Sequence, residues 1–160
     1  MIPLWEPEIE HAMVFVFAAF PESSSPRLAS VSFGVDGVSL FEPIIWDWDP
    51  CPGTDSPTDN WPAPGTGTTV TLAEVGTSAM IPVYALMAYT EYGNPVELEL
   101  IPHPTEGGVF RDDSVPPLVD EIVDYGRFGF AGAPGYAPCP TDPVPVEDGS
   151  WGSLKKRFRP

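Results

Sequence analysis

The side chains best equipped for chemistry gather between residues 46 and 61. Asp47, Asp49, Asp55 and Asp59 bring carboxylates close together in sequence, with threonines and Asn60 among them. Hard carboxylate, hydroxyl and carbonyl oxygens are the donors that Ca²⁺ accepts in flexible geometry. The spacing is not that of an EF-hand loop, and solvated loop acids are the alternative. Three tryptophans, Trp46, Trp48 and Trp61, share this stretch. Aromatic faces beside carboxylates grip sugar rings, by stacking on the ring and hydrogen-bonding its hydroxyls. A glycan platform built from them, with Tyr84, Tyr89 and Tyr92 nearby, is therefore one expectation; core packing of the same aromatics is the other. Strand alternation would place Trp46 and Trp48 on one face.

Other titratable groups point less clearly to a reaction. A hydrolase would need two acids in different environments converging in a cleft, with Asp49, Asp55 and Asp113 as candidates. Asp112 and Asp113 are adjacent, so on a strand they face opposite ways and do not work as a pair. His11 and His103 are isolated, and His103 lies between two prolines, as a loop residue would. No phosphate-cradling glycine loop, His-rich metal spacing or Gly-x-Ser-x-Gly is present. The expectation is a protein that is not an enzyme and carries no cofactor, bound Ca²⁺ in the loop being the exception.

The elements that position these residues read as strands. Met80 to His103 anchors the pattern. Its first half is apolar on both faces, as in a central strand covered twice; its second half alternates Val96, Leu98 and Leu100 with Glu97 and Glu99. Gly93-Asn94 between the halves predicts a hairpin. Met13–Phe20 is apolar throughout and is expected to be central. Arg27–Val35 alternates, and Asp36-Gly37 predicts a second hairpin, closed by Val38–Trp48. Asp49–Gly67 has too much Pro, Gly, Asp and Thr to predict regular structure. Thr68–Val75 and Tyr125–Ala131 are further strands. Val115, Leu118, Val119 and Ile122 fall at helical spacing behind Ser114, which predicts one short helix over 114–124. The sum is an all-β chain of about seven or eight strands: an antiparallel β-sandwich, immunoglobulin-like or jelly-roll-like. Residues 1–139 form this domain, 140–150 a Pro-rich linker and 151–160 a basic-aromatic tail.

Composition sets outer limits. Twenty-two prolines exclude long helices. The net charge is −16, and Lys155, Lys156, Arg157 and Arg159 hold four of the seven basic charges. So acidic a body repels phosphate backbones, which argues against nucleic-acid binding. The run Ala12–Phe20 is too short to span a membrane as a helix, and the acids before it are wrong for a signal peptide. Cys51 and Cys139 are each flanked by prolines, and one disulfide between them is expected, which places the chain in an oxidising compartment. Two free buried thiols are the alternative. In the tail, Trp151, Leu154 and Phe158 share one helical face, with Lys155, Lys156 and Arg157 elsewhere.

Several stretches are familiar: AAFPESSSPRL, SFGVD, DNWPAPGTGTTVT, PHPTEGGVFRDDSVP and the closing GYAPCP. Together they resemble an uncharacterised family of secreted bacterial proteins. The tail WGSLKKRFR is similar to the Trp-Gly-x-x-Lys ending of many exported proteins of such bacteria. The resemblance covers most of the chain from about Met13. It implies export, a β-rich body, an N-terminal leader upstream of Met1 and a terminal address or anchor carried by Trp151, Lys155, Lys156 and Arg157. The expected function is a secreted or cell-surface, non-catalytic structural or interaction protein, with a protein or glycan at the surface as partner.

Overall fold

A computed structural model describes residues 9–37, 43–91 and 93–138. Among them are ten strands and no helix. The strands are β1 (Glu10–Ala19), β2 (Leu28–Asp36), β3 (Ile44–Pro50), β4 (Gly53–Pro57) and β5 (Thr66–Gly76), followed by β6 (Met80–Thr90), β7 (Val96–Ile101), β8 (Val109–Asp112), β9 (Val119–Glu121) and β10 (Arg127–Phe130). Every ladder is antiparallel. One sheet runs β1-β6-β3; the other runs β10-β7-β2-β5-β4, with the β8–β9 pair joined to the free part of β2. The chain is thus the all-β antiparallel sandwich that its patterning predicts.

The inward faces meet in one core. Val16 and Ala18 of β1 and Ile81, Val83, Tyr84, Leu86 and Ala88 of β6 pack against Val31, Phe33 and Val35 of β2, Val70 of β5, Leu98 of β7 and Phe130 of β10. On β6 the two-residue alternation breaks once. Val16 pairs with Tyr84 and Phe17 with Pro82, so Val83 is an extra residue. Such a bulge lets neighbouring side chains, here Val83 and Tyr84, both be buried.

Both predicted hairpins prove to be arches. β6 lies in the small sheet and β7 in the large one, so Gly93-Asn94 carries the chain between sheets. β2 and β3 are likewise in different sheets. Gly37 (φ 75°) and Gly93 (φ 65°) do adopt the left-handed conformation that turns require. At Gly37 a side chain would also strike the Glu97 carbonyl, 2.0 Å from where its Cβ would stand.

Other expectations change too. The predicted helix over 114–124 is absent. Val115 and Pro116 each precede a proline, which disfavours helical backbone. Asp112 Oδ1 instead accepts from the backbone of Ser114 (3.1 Å) and Leu118 (2.7 Å), folding 112–118 into the turn before β9. The proline-rich stretch after Asp49 yields β4, paired residue for residue with β5 from Gly53–Leu72 to Pro57–Thr68. β1 is at a sheet edge, not central. Among the described residues the one cysteine is Cys51, whose thiol is free and half-buried; Cys139, the other half of the expected disulfide, lies outside the described residues, as do Tyr92, the linker and the tail.

Candidate functional site

The acids and tryptophans of 46–61 do not form one site. Trp61 is core: its indole packs edge-on against Phe33 and Tyr84, at centroid distances of 5.9 and 5.8 Å. Its Nε1 donates to the Tyr84 hydroxyl (3.0 Å), which donates to Asp55 Oδ2 (2.7 Å); Thr68 Oγ1 also reaches that oxygen at 3.4 Å. Burial, followed by the bond to Asp55, pushes the Tyr84 phenol far up. Asp55 therefore anchors a polar thread in the core. Trp46 is the unpaired residue of a bulge on β3, between Ile45 and Asp47, so it does not share a regular face with Trp48. Both indoles stay well exposed. Asp47 and Asp49 pair with Met87 and Ala85 on the outer face of the small sheet, while Asp59 is in the exposed loop after β4. Among the described residues no three His, Cys, Asp or Glu side chains come together as metal ligands. Asp113 is on the opposite side of the large sheet's path, in the β8–β9 turn, where it takes a two-pronged bond from Arg27, the Nε arm at 2.8 Å.

A second polar cluster covers the large sheet. Ser32 and Thr69 share a hydrogen bond across β2 and β5 (2.7 Å). Arg111 donates Nη1 to Ser32 Oγ (2.8 Å) and Nη2 to Glu106 Oε2 (2.7 Å). This is why Ser32, outward on its strand, is fully buried. Burial alone would raise the Glu106 carboxyl, but the bonds from Arg111 and Ser32 outweigh it and hold it below its usual range. His103 Nδ1 accepts from the backbone of Glu106 (3.1 Å) and Thr105 (3.3 Å), so the ring caps its own loop. The cluster is joined within itself, because Ser32 Oγ also donates to Glu106 Oε2 (3.2 Å).

A feature able to accept another molecule is apolar. A cleft of about 900 Å³ opens between the sheets on the β1 side. Its floor is Val31, Phe33, Leu86 and Leu98; its walls are β1 from Val14 to Ala19 on one side and 122–128 with 136–138 on the other. Both ends are pinned. The Ala131 N–H donates to Glu10 Oε2 (2.6 Å) at one, and the rings of Phe20 and Phe110 meet at 4.9 Å at the other. Between the pins, no described strand pairs with the free edge of β1.

The outer side of that edge is apolar as well. Met13, Phe15 and Phe17 are 54%, 51% and 45% exposed. They face out beside Met87, Ala85 and Pro82 of β6, and Phe15 and Phe17 also reach the cleft rim. From Ala12 to Ala19 the strand has no charge, proline or glycine. Natural edge strands usually carry such residues to prevent unwanted pairing. Sequence alone hides this site, because an all-apolar strand reads as covered on both faces.

Comparison with family models, with curated proteins and with solved structures finds no match to this chain.

Proposed function

We propose that this chain is a secreted or cell-surface interaction protein without catalysis of its own, and that it grips an extended apolar segment at the β1 edge and its cleft. The carrying observation is the uncharged edge from Ala12 to Ala19, which no described strand pairs and which borders an apolar cavity. Backbone N–H and C=O groups of an exposed edge bind an added strand, and pockets beside it select alternate side chains. The chain as a whole is acidic, with a net charge of −16. The fitting partner is therefore an extended segment that alternates apolar and basic residues, steered in by charge and held by burial. Export follows from the sequence resemblance and from the Trp151–Lys155–Lys156–Arg157 tail, which would serve as the address.

The test is fluorescence polarisation with a labelled peptide alternating valine and lysine, beside a control with serine for valine. The valine peptide binds, the serine peptide binds at least tenfold more weakly, and Phe15→Thr/Phe17→Thr weakens the first without unfolding the protein. Equal binding of the two peptides, or no effect of the variant, would show attraction by charge alone and contradict the proposal.

A further inference from the structure

We propose that the extended partner adds antiparallel to β1 through the backbones of Met13, Phe15 and Phe17, and that its inward residues need no N–H and can be proline. This rests on the reading of the β1 edge as a binding element. The phase of the β1–β6 ladder carries it. Just past the end of β1 the Phe20 N–H donates to the Ala79 carbonyl (2.8 Å), so the Phe20 backbone faces β6. Along a strand the N–H and C=O groups turn to alternate edges as the side chains turn to alternate faces. Counting back by two, Ala18, Val16 and Val14 also turn their backbone groups to β6. The count survives the bulge, because its extra residue, Val83, is on β6 while β1 runs unbroken. Met13, Phe15 and Phe17 therefore turn theirs to the edge that no described strand occupies. A proline gives an independent check on this phase. Pro82 stands opposite Phe17 without an N–H, as only a pair that exchanges no hydrogen bonds allows.

The same three residues are the ones whose side chains face out. Met13, Phe15 and Phe17 are about half exposed, whereas Val16 and Ala18 are buried. In an antiparallel pair, residues directly opposite share a face, and hydrogen-bonded pairs exchange both bonds. Partner residues opposite Met13, Phe15 and Phe17 thus point outward and must keep their N–H groups. Those opposite Val14 and Val16 point into the cleft, which Leu98, Leu100 and Phe128 help to line, and turn their N–H groups away from β1. Proline fits these inward positions, because it is apolar and holds the residue before it extended. The class recognised is an extended segment in which valine or proline alternates with a basic residue, the basic residue alone bonding to the edge.

Two observations set the direction. Every ladder among the described strands is antiparallel, and such pairs are slightly more stable per residue than parallel ones. Charge agrees with this. Glu22, shortly after the end of β1, lines the cleft, while Glu10 at the other end already accepts from the Ala131 N–H (2.6 Å). An antiparallel segment brings its positive amino end towards Glu22; a parallel one would bring its carboxylate there. In a parallel pair the bonds to Met13, Phe15 and Phe17 would also come from the inward residues of the partner, so the direction can be measured.

The experiment titrates the intact chain with three peptides: the valine–lysine peptide, the same peptide N-methylated at its lysines, and the same peptide N-methylated at its valines. Methylation removes backbone N–H groups and keeps every side chain and charge. The proposal predicts that lysine methylation weakens binding at least tenfold, by loss of several hydrogen bonds at once, while valine methylation changes it by no more than about threefold. Residue-resolved amide exchange of the chain alone gives a second measurement. Met13, Phe15 and Phe17 exchange at least tenfold faster than Val14, Val16 and Ala18, and the unmodified peptide narrows that difference. Loss of binding on valine methylation alone would mean a parallel strand, and equal effects of the two methylations would mean that no backbone register is used. Either result overturns the proposal and leaves the peptide-binding reading intact. Even protection along 13–18 in the chain alone would overturn it too, because a second copy or another part of the chain would then hold the edge. Failure of the unmodified peptide to bind would remove the reading, and this inference with it.

Discussion

Tyr84 holds its ring in the apolar centre and its hydroxyl between an acceptor and a donor. Replacing it with phenylalanine keeps the packing but strips Asp55 of its 2.7 Å bond and Trp61 Nε1 of its acceptor. Leaving two such groups without partners costs about 1–3 kcal/mol, so urea unfolding of Tyr84→Phe should show that loss with an unchanged slope. The surface acids act through pH. Glu106, Asp112 and Asp113 are each held below their ordinary range: Glu106 against its burial by Arg111 and Ser32, Asp112 first by Ser114, Asp113 first by Arg27. A depressed carboxyl binds fewer protons folded than unfolded, so its contribution is complete above its ordinary value and drains away as pH falls through the folded one. Stability should therefore decline below about pH 4.5, the ordinary value for Glu106. Glu106→Gln should be less stable at pH 7 and decline less steeply in acid; an identical acid profile would remove Glu106 from the account. At this scale little was legible beforehand. The alternation of β2 placed Val31, Phe33 and Val35 inward correctly, but nothing local to Asp55 tells that Tyr84, far along the chain, will claim it.

Among the elements, β1 and β6 divide the energetics from the recognition. Leu86 is fully buried on β6, whereas Phe15 faces out on β1. Leu86→Ala should cost about 2–5 kcal/mol by chemical denaturation. Phe15→Thr, a β-former on a solvated face, should stay within about 0.5 kcal/mol while weakening peptide binding. Equal destabilisation by both would mean that the outer face is packed. Strands were largely readable, as the Glu97 and Glu99 side of β7 shows: both face out and reach Arg127 on β10, at 3.6 and 4.0 Å. Pairing was not. Gly37 and Gly93 supply the same backbone conformation to a hairpin or to an arch between sheets, and the choice belongs to distant partners. The helical spacing over 114–124 misled for a related reason. Four apolar residues at intervals of three and four also arise by chance in a turn plus a short strand, and the paired prolines outweighed them.

The whole molecule couples an acidic surface to an apolar groove. Sandwich architecture followed from many short apolar runs separated by proline and glycine, and the structure has it. Among the described residues three strands face seven, and the cleft opens beside β1, at the edge of the smaller sheet. No count of strands from sequence would have revealed it. With a net charge of −16, binding of a basic-apolar segment should weaken as salt rises from low to physiological ionic strength, through slower association. The most direct measurement is amide hydrogen exchange of the intact protein with and without saturating valine–lysine peptide. The account predicts slowed exchange over Val14–Ala19 and across 122–128, with 46–61 unaffected. Protection confined to 46–61, or none along β1, would contradict it.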